Sequence, residues 1–114
     1  MNGQQPQQLN QTITLLEKLI QQRPNDLELK LQLAQLYEHK GESVKAEKVY
    51  DQVLAQAASN VDALSRKAIL RHARGDLDQS KALFTKAESA APNSMKAKIR
   101  ELAQTTLQQT ADQR

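Results

Sequence analysis

Residues 27–60 read LELKLQLAQLYEHKGESVKAEKVYDQVLAQAASN, and residues 61–94 read VDALSRKAILRHARGDLDQSKALFTKAESAAPNS. The two stretches are equal in length and align without a gap. Ala34 falls on Ala68, Leu36 on Leu70, Gly41 on Gly75, Val49 on Leu83, Tyr50 on Phe84, Val53 on Ala87 and Asn60 on Ser94. Self-similarity at a fixed period of this length marks a supersecondary unit repeated along the chain. In its later half, Ala46, Val49, Tyr50, Val53, Leu54 and Ala57 recur at the spacing of a single helical stripe, and Leu83, Phe84 and Ala87 repeat it.

The earlier half is harder to read, because Leu27, Leu29, Leu31 and Leu33 alternate with polar residues as a half-buried strand would. The stretch is made of Leu, Glu, Lys and Gln, all good helix formers, and has no β-branched member. Leu29, Leu33, Leu36 and Tyr37 also satisfy a helical stripe, so a helix is expected. Leu27 and Leu31 are left to face a neighbouring helix or a partner. Gly41 and Gly75 stand where this first helix should stop, and Asp76 is placed to cap the next. Each period is therefore two helices of about thirteen residues joined by a tight turn.

The flanks extend the pattern. Leu9, Ile13, Leu16, Leu19 and Ile20 make an amphipathic helix over 9–22, ending before Arg23-Pro24-Asn25-Asp26, like the second helix of a unit that lacks its first. After Ala91-Pro92, Asn93 or Ser94 can cap a helix over 94–107 with Met95, Ile99, Leu102, Ala103 and Leu107 on one face. Residues 1–8 read as a disordered tail and 108–114 as a polar one, leaving a single domain over 9–107.

Composition agrees. The chain has 114 residues, 39% of them hydrophobic and 25% charged, with three glycines, three prolines, a single Phe, two Tyr and no Trp. Those numbers suit one all-α domain and disfavour a β-sandwich. Without cysteine there is no disulfide, thiolate nucleophile or cysteine-ligated metal, which fits a reducing, cytoplasmic setting. Residues 1–8 lack the character of a secretory signal, and no apolar run approaches a membrane span. Net charge is +3, unevenly spread: residues 1–60 hold six Lys/Arg against seven Asp/Glu, and residues 61–114 hold ten against six.

The period of 34, the small residues Ala34 and Ala68 at its eighth position, Gly41 and Gly75 at the fifteenth, Ala46 at the twentieth, Tyr50 and Phe84 at the twenty-fourth and Pro92 at the thirty-second resemble the tetratricopeptide repeat. The sequence departs from that pattern at Lys67 and Arg71, where apolar residues are usual, at Ser80 in place of a small alanine, and at Ala58 in place of proline. The resemblance implies an α-α superhelix of about six antiparallel helices in three hairpins, with partner segments lying on an inner surface lined by the first helix of each pair. It carries the inward positions onto Glu28, Leu31, Gln35, Glu38 and His39 in the first repeat and Asp62, Ser65, Ile69, His72 and Ala73 in the second. Leu31 and Ile69 are either pockets for a partner's side chains or core filler. Some relatives clamp a terminal carboxylate with Lys and Asn. Lys96 and Arg100, with Arg66 near them, form a basic group of that kind, but Leu31 occupies a clamp-lysine position, so the clamp is incomplete.

Chemistry of other kinds is not indicated. His39 and His72 lack metal-ligand spacing, so no metal or other cofactor is expected. No phosphate-cradling or nucleophile motif occurs, so an enzyme is not expected. Arg66, Lys67, Arg71 and Arg74 spread around a helix without stacking aromatics, which argues against nucleic acid. The resulting expectation is a non-enzymatic adaptor, scaffold or assembly factor. Its concave face, built from Leu31, Gln35, Glu38, His39, Ser65, Arg66, Ile69, His72, Lys96 and Arg100, takes a peptide or helical segment of another protein, acidic segments included. The alternative is a self-associating structural domain, and the chain itself is expected to be a monomer or weak homodimer.

Overall fold

Asp26, Asn60 and Asp76 each accept a hydrogen bond from the backbone N–H three residues on, at 3.3, 2.9 and 3.2 Å, and each opens a helix. At the other end of two of those helices, Gly41 and Gly75 both adopt φ +87°, a conformation that costs a residue without a Cβ little. The closing bonds are the same at both: Gly41 N–H to Glu38 O and Glu42 N–H to Tyr37 O, then Gly75 N–H to His72 O and Asp76 N–H to Arg71 O, all 2.8–2.9 Å. This paired closure satisfies carbonyls that the helix end would otherwise orphan.

The computed structural model describes residues 6–112, with side chains from 7 to 108. The helices are α1 (Pro6–Gln22), α2 (Leu27–His39), α3 (Ser43–Gln56), α4 (Val61–Ala73), α5 (Leu77–Ala90) and α6 (Asn93–Asp112). Among the described residues there is no strand, so the alternating leucines at 27–33 are helical, as expected.

The chain divides into two compact units, Met1–Gln56 and Ala57–Arg114. In the first, α2 lies between α1 and α3. Its core is Leu9, Ile13 and Leu16 of α1, Leu31, Leu33, Ala34 and Tyr37 of α2, and Ala46, Val49, Tyr50 and Val53 of α3. Packing α2 on two sides changes its buried set. Leu31, left over in the one-stripe reading, is buried, whereas Leu29 and Leu36 are only partly covered. In the second unit α5 pairs with both α4 and α6, around Ala63, Leu64, Ala68, Leu70, Phe84, Ala87 and Ile99. Ser80, which stands where the first repeat has Ala46, is fully buried and donates its hydroxyl to the Ala68 carbonyl at 2.8 Å, so the departure is absorbed by a bond across the hairpin. Lys67 and Arg71 are half-buried, and the Arg71 guanidinium reaches the Asp76 carboxylate at 3.5 Å.

The ends differ from expectation. α1 starts at Pro6, a favourable first helical residue, so Pro6, Gln7 and Gln8 belong to the helix; the rest of the expected tail, residues 1–5, lies outside the described residues. α6 opens at Asn93, which puts Asn93 and Ser94 inside its first turn, while the Pro92 carbonyl accepts from the N–H groups of Met95 and Lys96. It runs on to Asp112, so the expected polar tail is helical to that point, and residues 113 and 114 lie outside the described residues. Polarity alone does not end a helix made of Gln, Thr and Ala.

Candidate functional site

Helix α2 carries four of the expected partner-contacting residues, and its packing decides what each can do. Leu31 is 5% exposed and fills the core. Glu38 is half-buried, and its carboxylate accepts a hydrogen bond from the Tyr50 hydroxyl of α3. Gln35 and His39, one helical turn apart, remain exposed. They line a cleft of about 440 Å³ between α1 and α2, together with Gln32 and Leu36 of α2 and Thr12 and Leu16 of α1. The walls combine apolar side chains with hydrogen-bonding ones, which can meet a ligand by shape and a few directed bonds. Gln32, Leu36, Thr12 and Leu16 were not among the residues singled out from the sequence. The signal was present, because Gln32, Gln35, Leu36 and His39 share a helical face, but it could not be read without knowing which side α1 covers.

The floor of this unit is tied by polar contacts. The Tyr37 hydroxyl donates to Glu17 Oε2 at 2.8 Å, joining α2 to α1. Lys45 Nζ lies 5.7 Å from the centroid of the Tyr37 ring, within reach of a cation–π attraction. Lys40 and Lys45 each approach Glu42 at 3.1 Å, and hydrogen bonds from the two ammonium groups hold that carboxyl below the usual carboxylate range. Burial, then the bond to Glu17 and the negative charges of Glu17 and Glu42, push the Tyr37 phenol up to about 12 from 10.0. Folding therefore favours the protonated phenol. Its contribution to stability is fully present below the unfolded value near pH 10 and disappears as pH rises through the folded value near 12. Denaturant midpoints measured from neutral to strongly alkaline pH are expected to fall over that interval, with a shallower fall in Tyr37→Phe. An unchanged alkaline slope in the variant would show that the phenol is not the titrating group.

In the second unit Ser65, Arg66, Ile69 and His72 lie on α4. Ser65 is 6% exposed and presents nothing to a partner, Ile69 and His72 are half-buried, and Arg66 is exposed. Lys96 and Arg100 of α6 turn toward α5. The Lys96 ammonium donates to the Glu88 and Ser89 carbonyls at 2.8 and 3.2 Å, where a cation complements the carbonyl end of the helix. The Arg100 guanidinium donates twice to Glu88 Oε2, at 3.1 and 2.6 Å. The expected basic pair is thus held at the C-terminal end of α5, with Arg100 balanced by an acid. Beside it, Phe84, Ala103, Leu107 and Arg100 help line a second hollow of about 280 Å³ between α5 and α6.

Among the described residues, no group of three or more His, Cys, Asp or Glu is placed to hold a metal ion, and no helix is long and apolar enough to cross a membrane. A family model described as Tetratricopeptide repeat matches residues 5–68, more than half of the chain, taking in α1 to α3 and the first part of α4. A search of the curated proteins found no match.

Proposed function

Because the chain belongs to the tetratricopeptide-repeat family, whose repeats generally mediate protein–protein interaction, we propose that it is a non-enzymatic adaptor or assembly factor that holds a segment of a partner protein on the first helices of its hairpins. The observation that carries the reading is the α1–α2 cleft, where Gln35 and His39, both at inward positions of the repeat, meet Leu36, Leu16 and Thr12. Ile69, His72 and Arg66 of α4, in register with Gln35, Glu38 and Gln32, are the candidate contacts of the second unit. The excess of ten cationic over six anionic residues in 61–114 favours a segment bearing acidic side chains. A cytoplasmic setting fits the absence of cysteine.

The test begins with a displayed library of peptides and ends with titration of the enriched sequence. The Gln35→Ala/His39→Ala double variant is expected to bind at least about tenfold more weakly, with an unchanged helical circular-dichroism spectrum. Raising the salt concentration should weaken binding further if acidic residues are read. Full binding by the double variant would place the contact elsewhere.

A further inference from the structure

The cleft between α1 and α2 and the hollow between α5 and α6 are one feature of the repeat, formed twice. Two periods separate Leu16 from Phe84, Gln32 from Arg100, Gln35 from Ala103 and His39 from Leu107, and each of these residues lines its own depression. In the first unit α3 packs on α2 and leaves the cleft open. A second helix laid on α6 in the same way would leave the hollow open too, so the hollow belongs to the α5–α6 pair wherever the chain ends.

Its chemistry differs from that of the cleft. The bonds from the Arg100 guanidinium to Glu88 Oε2, at 3.1 and 2.6 Å, fix the register of two antiparallel helices. One turn from that pair Phe84 comes level with Ala103 and Gln104, and one turn further Lys81 comes level with Leu107. Phe84, 3% exposed, is the floor, and the half-buried Ala103 and Leu107 form a wall. The cleft has Leu16 and His39 in the places of Phe84 and Leu107, so the hollow is the more apolar and the one with an aromatic floor. Its ionisable residues do not cancel. Arg100 and Glu88 neutralise each other, whereas Lys81 is exposed and makes no ion pair among the described residues. One uncompensated cation therefore stands beside the apolar floor, in a stretch where ten cationic residues outnumber six anionic ones.

We propose that the α5–α6 hollow seats one aromatic side chain of a partner protein, and that an acidic residue next to it in the partner's sequence reaches Lys81. The hollow's role rests on the chain's holding partner segments, as proposed above, and adds a contact separate from Gln35 and His39. At about 280 Å³ the hollow falls just short of the roughly 300 to 1,000 Å³ that encloses a whole small ligand. It suits a single side chain of a segment that otherwise lies outside. An aromatic ring gains an edge-to-face or offset contact with Phe84 in addition to its burial. Lys81 is three residues, about 4.5 Å along the helix axis, from Phe84, within reach of a carboxylate one position from the ring. A basic neighbour at that position would meet like charge.

Amide NMR spectra of the isotope-labelled full chain test this with N-acetyl-phenylalanyl-glutamic acid α-amide, whose blocked ends leave the side-chain carboxylate as its one charge. The signals of Thr85, Ala103, Gln104 and Leu107 are expected to shift and to saturate with a Kd of about 1 to 10 mM. The uncharged glutamine analogue should bind about threefold more weakly, and the analogue with alanine in place of phenylalanine at least about tenfold more weakly. Ala103→Leu fills the hollow from a half-exposed position and should weaken binding at least about tenfold with an unchanged helical spectrum. Lys81→Glu should erase the preference for glutamate over glutamine. Signals of α5 and α6 that stay still at about 50 mM dipeptide overturn the proposal. Equal binding of the glutamate and glutamine forms overturns the pairing with Lys81, and full binding by Ala103→Leu places the ring outside the hollow. None of these results alters the Gln35→Ala/His39→Ala comparison, which reads the other unit, so failure of one contact is told apart from failure of the other.

Discussion

Replacing Tyr50 by alanine is expected to lower the free energy of unfolding by about 3 to 5 kcal/mol, the range for emptying an aromatic core site. Tyr50 is the largest of the fully buried side chains. It reaches from α3 into α2, where its hydroxyl donates to the Glu38 carboxylate. A whole domain is stable by only about 5 to 15 kcal/mol, so the variant should be substantially unfolded at modest urea concentrations, read as a lower midpoint with a similar slope. Tyr50→Phe separates the two contributions. It keeps the ring, removes the bond to Glu38 and should cost about 1 to 2 kcal/mol. Equal losses in the two variants would mean that the hydroxyl, and not the buried ring, carries the effect.

The second large effect is expected from adding volume. Ala68 is fully buried on α4 against α5, and the Ser80 hydroxyl donates to its carbonyl at 2.8 Å. A leucine there must push the helices apart or take a strained rotamer, and it stretches that bond; Ala68→Leu is expected to cost about 3 kcal/mol. The chain contains its own control. One period further on, the same register position is Leu102 of α6, which is 37% exposed because no second helix packs over it among the described residues. Leu102→Ala should therefore change stability by less than about 1 kcal/mol. Thermal or urea unfolding of the two variants, compared with wild type, checks both values. A mild Ala68→Leu would mean that α4 and α5 separate at little cost.

The same register explains which expectations from sequence needed amending. Met95 and Leu102 share a helical face with Ile99, and sequence periodicity groups all three, yet only Ile99 is buried. Periodicity reports which side chains lie on one side of a helix; it does not report how much of that side a neighbour covers. The left-over Leu31 of the strand-like passage makes the complementary point. A helix packed on two sides buries more than one stripe, and a single-stripe reading leaves the rest unexplained. For the candidate site, Gln35 and His39 were legible from their repeat positions. Lys96 and Arg100 were legible as a basic pair, but their engagement with the Glu88 carboxylate and the carbonyls at the end of α5 was not. Long flexible side chains take the partner that tertiary packing brings within reach, and nothing local specifies it.

Local rules thus carried the architecture. The spacing of apolar residues, Gly41 and Gly75 at positions needing positive φ, and the caps Asp26, Asn60 and Asp76 act within a few residues of themselves, so the sequence determined the α2–α3 and α4–α5 hairpins and the turns that close them. Exposure is a property of neighbours in space. Only the tertiary structure decided that Leu31 and Ser65 are inside, that Glu38 answers to Tyr50, and that Leu15 is left bare, because each outcome depends on which helix lies alongside and how closely it packs.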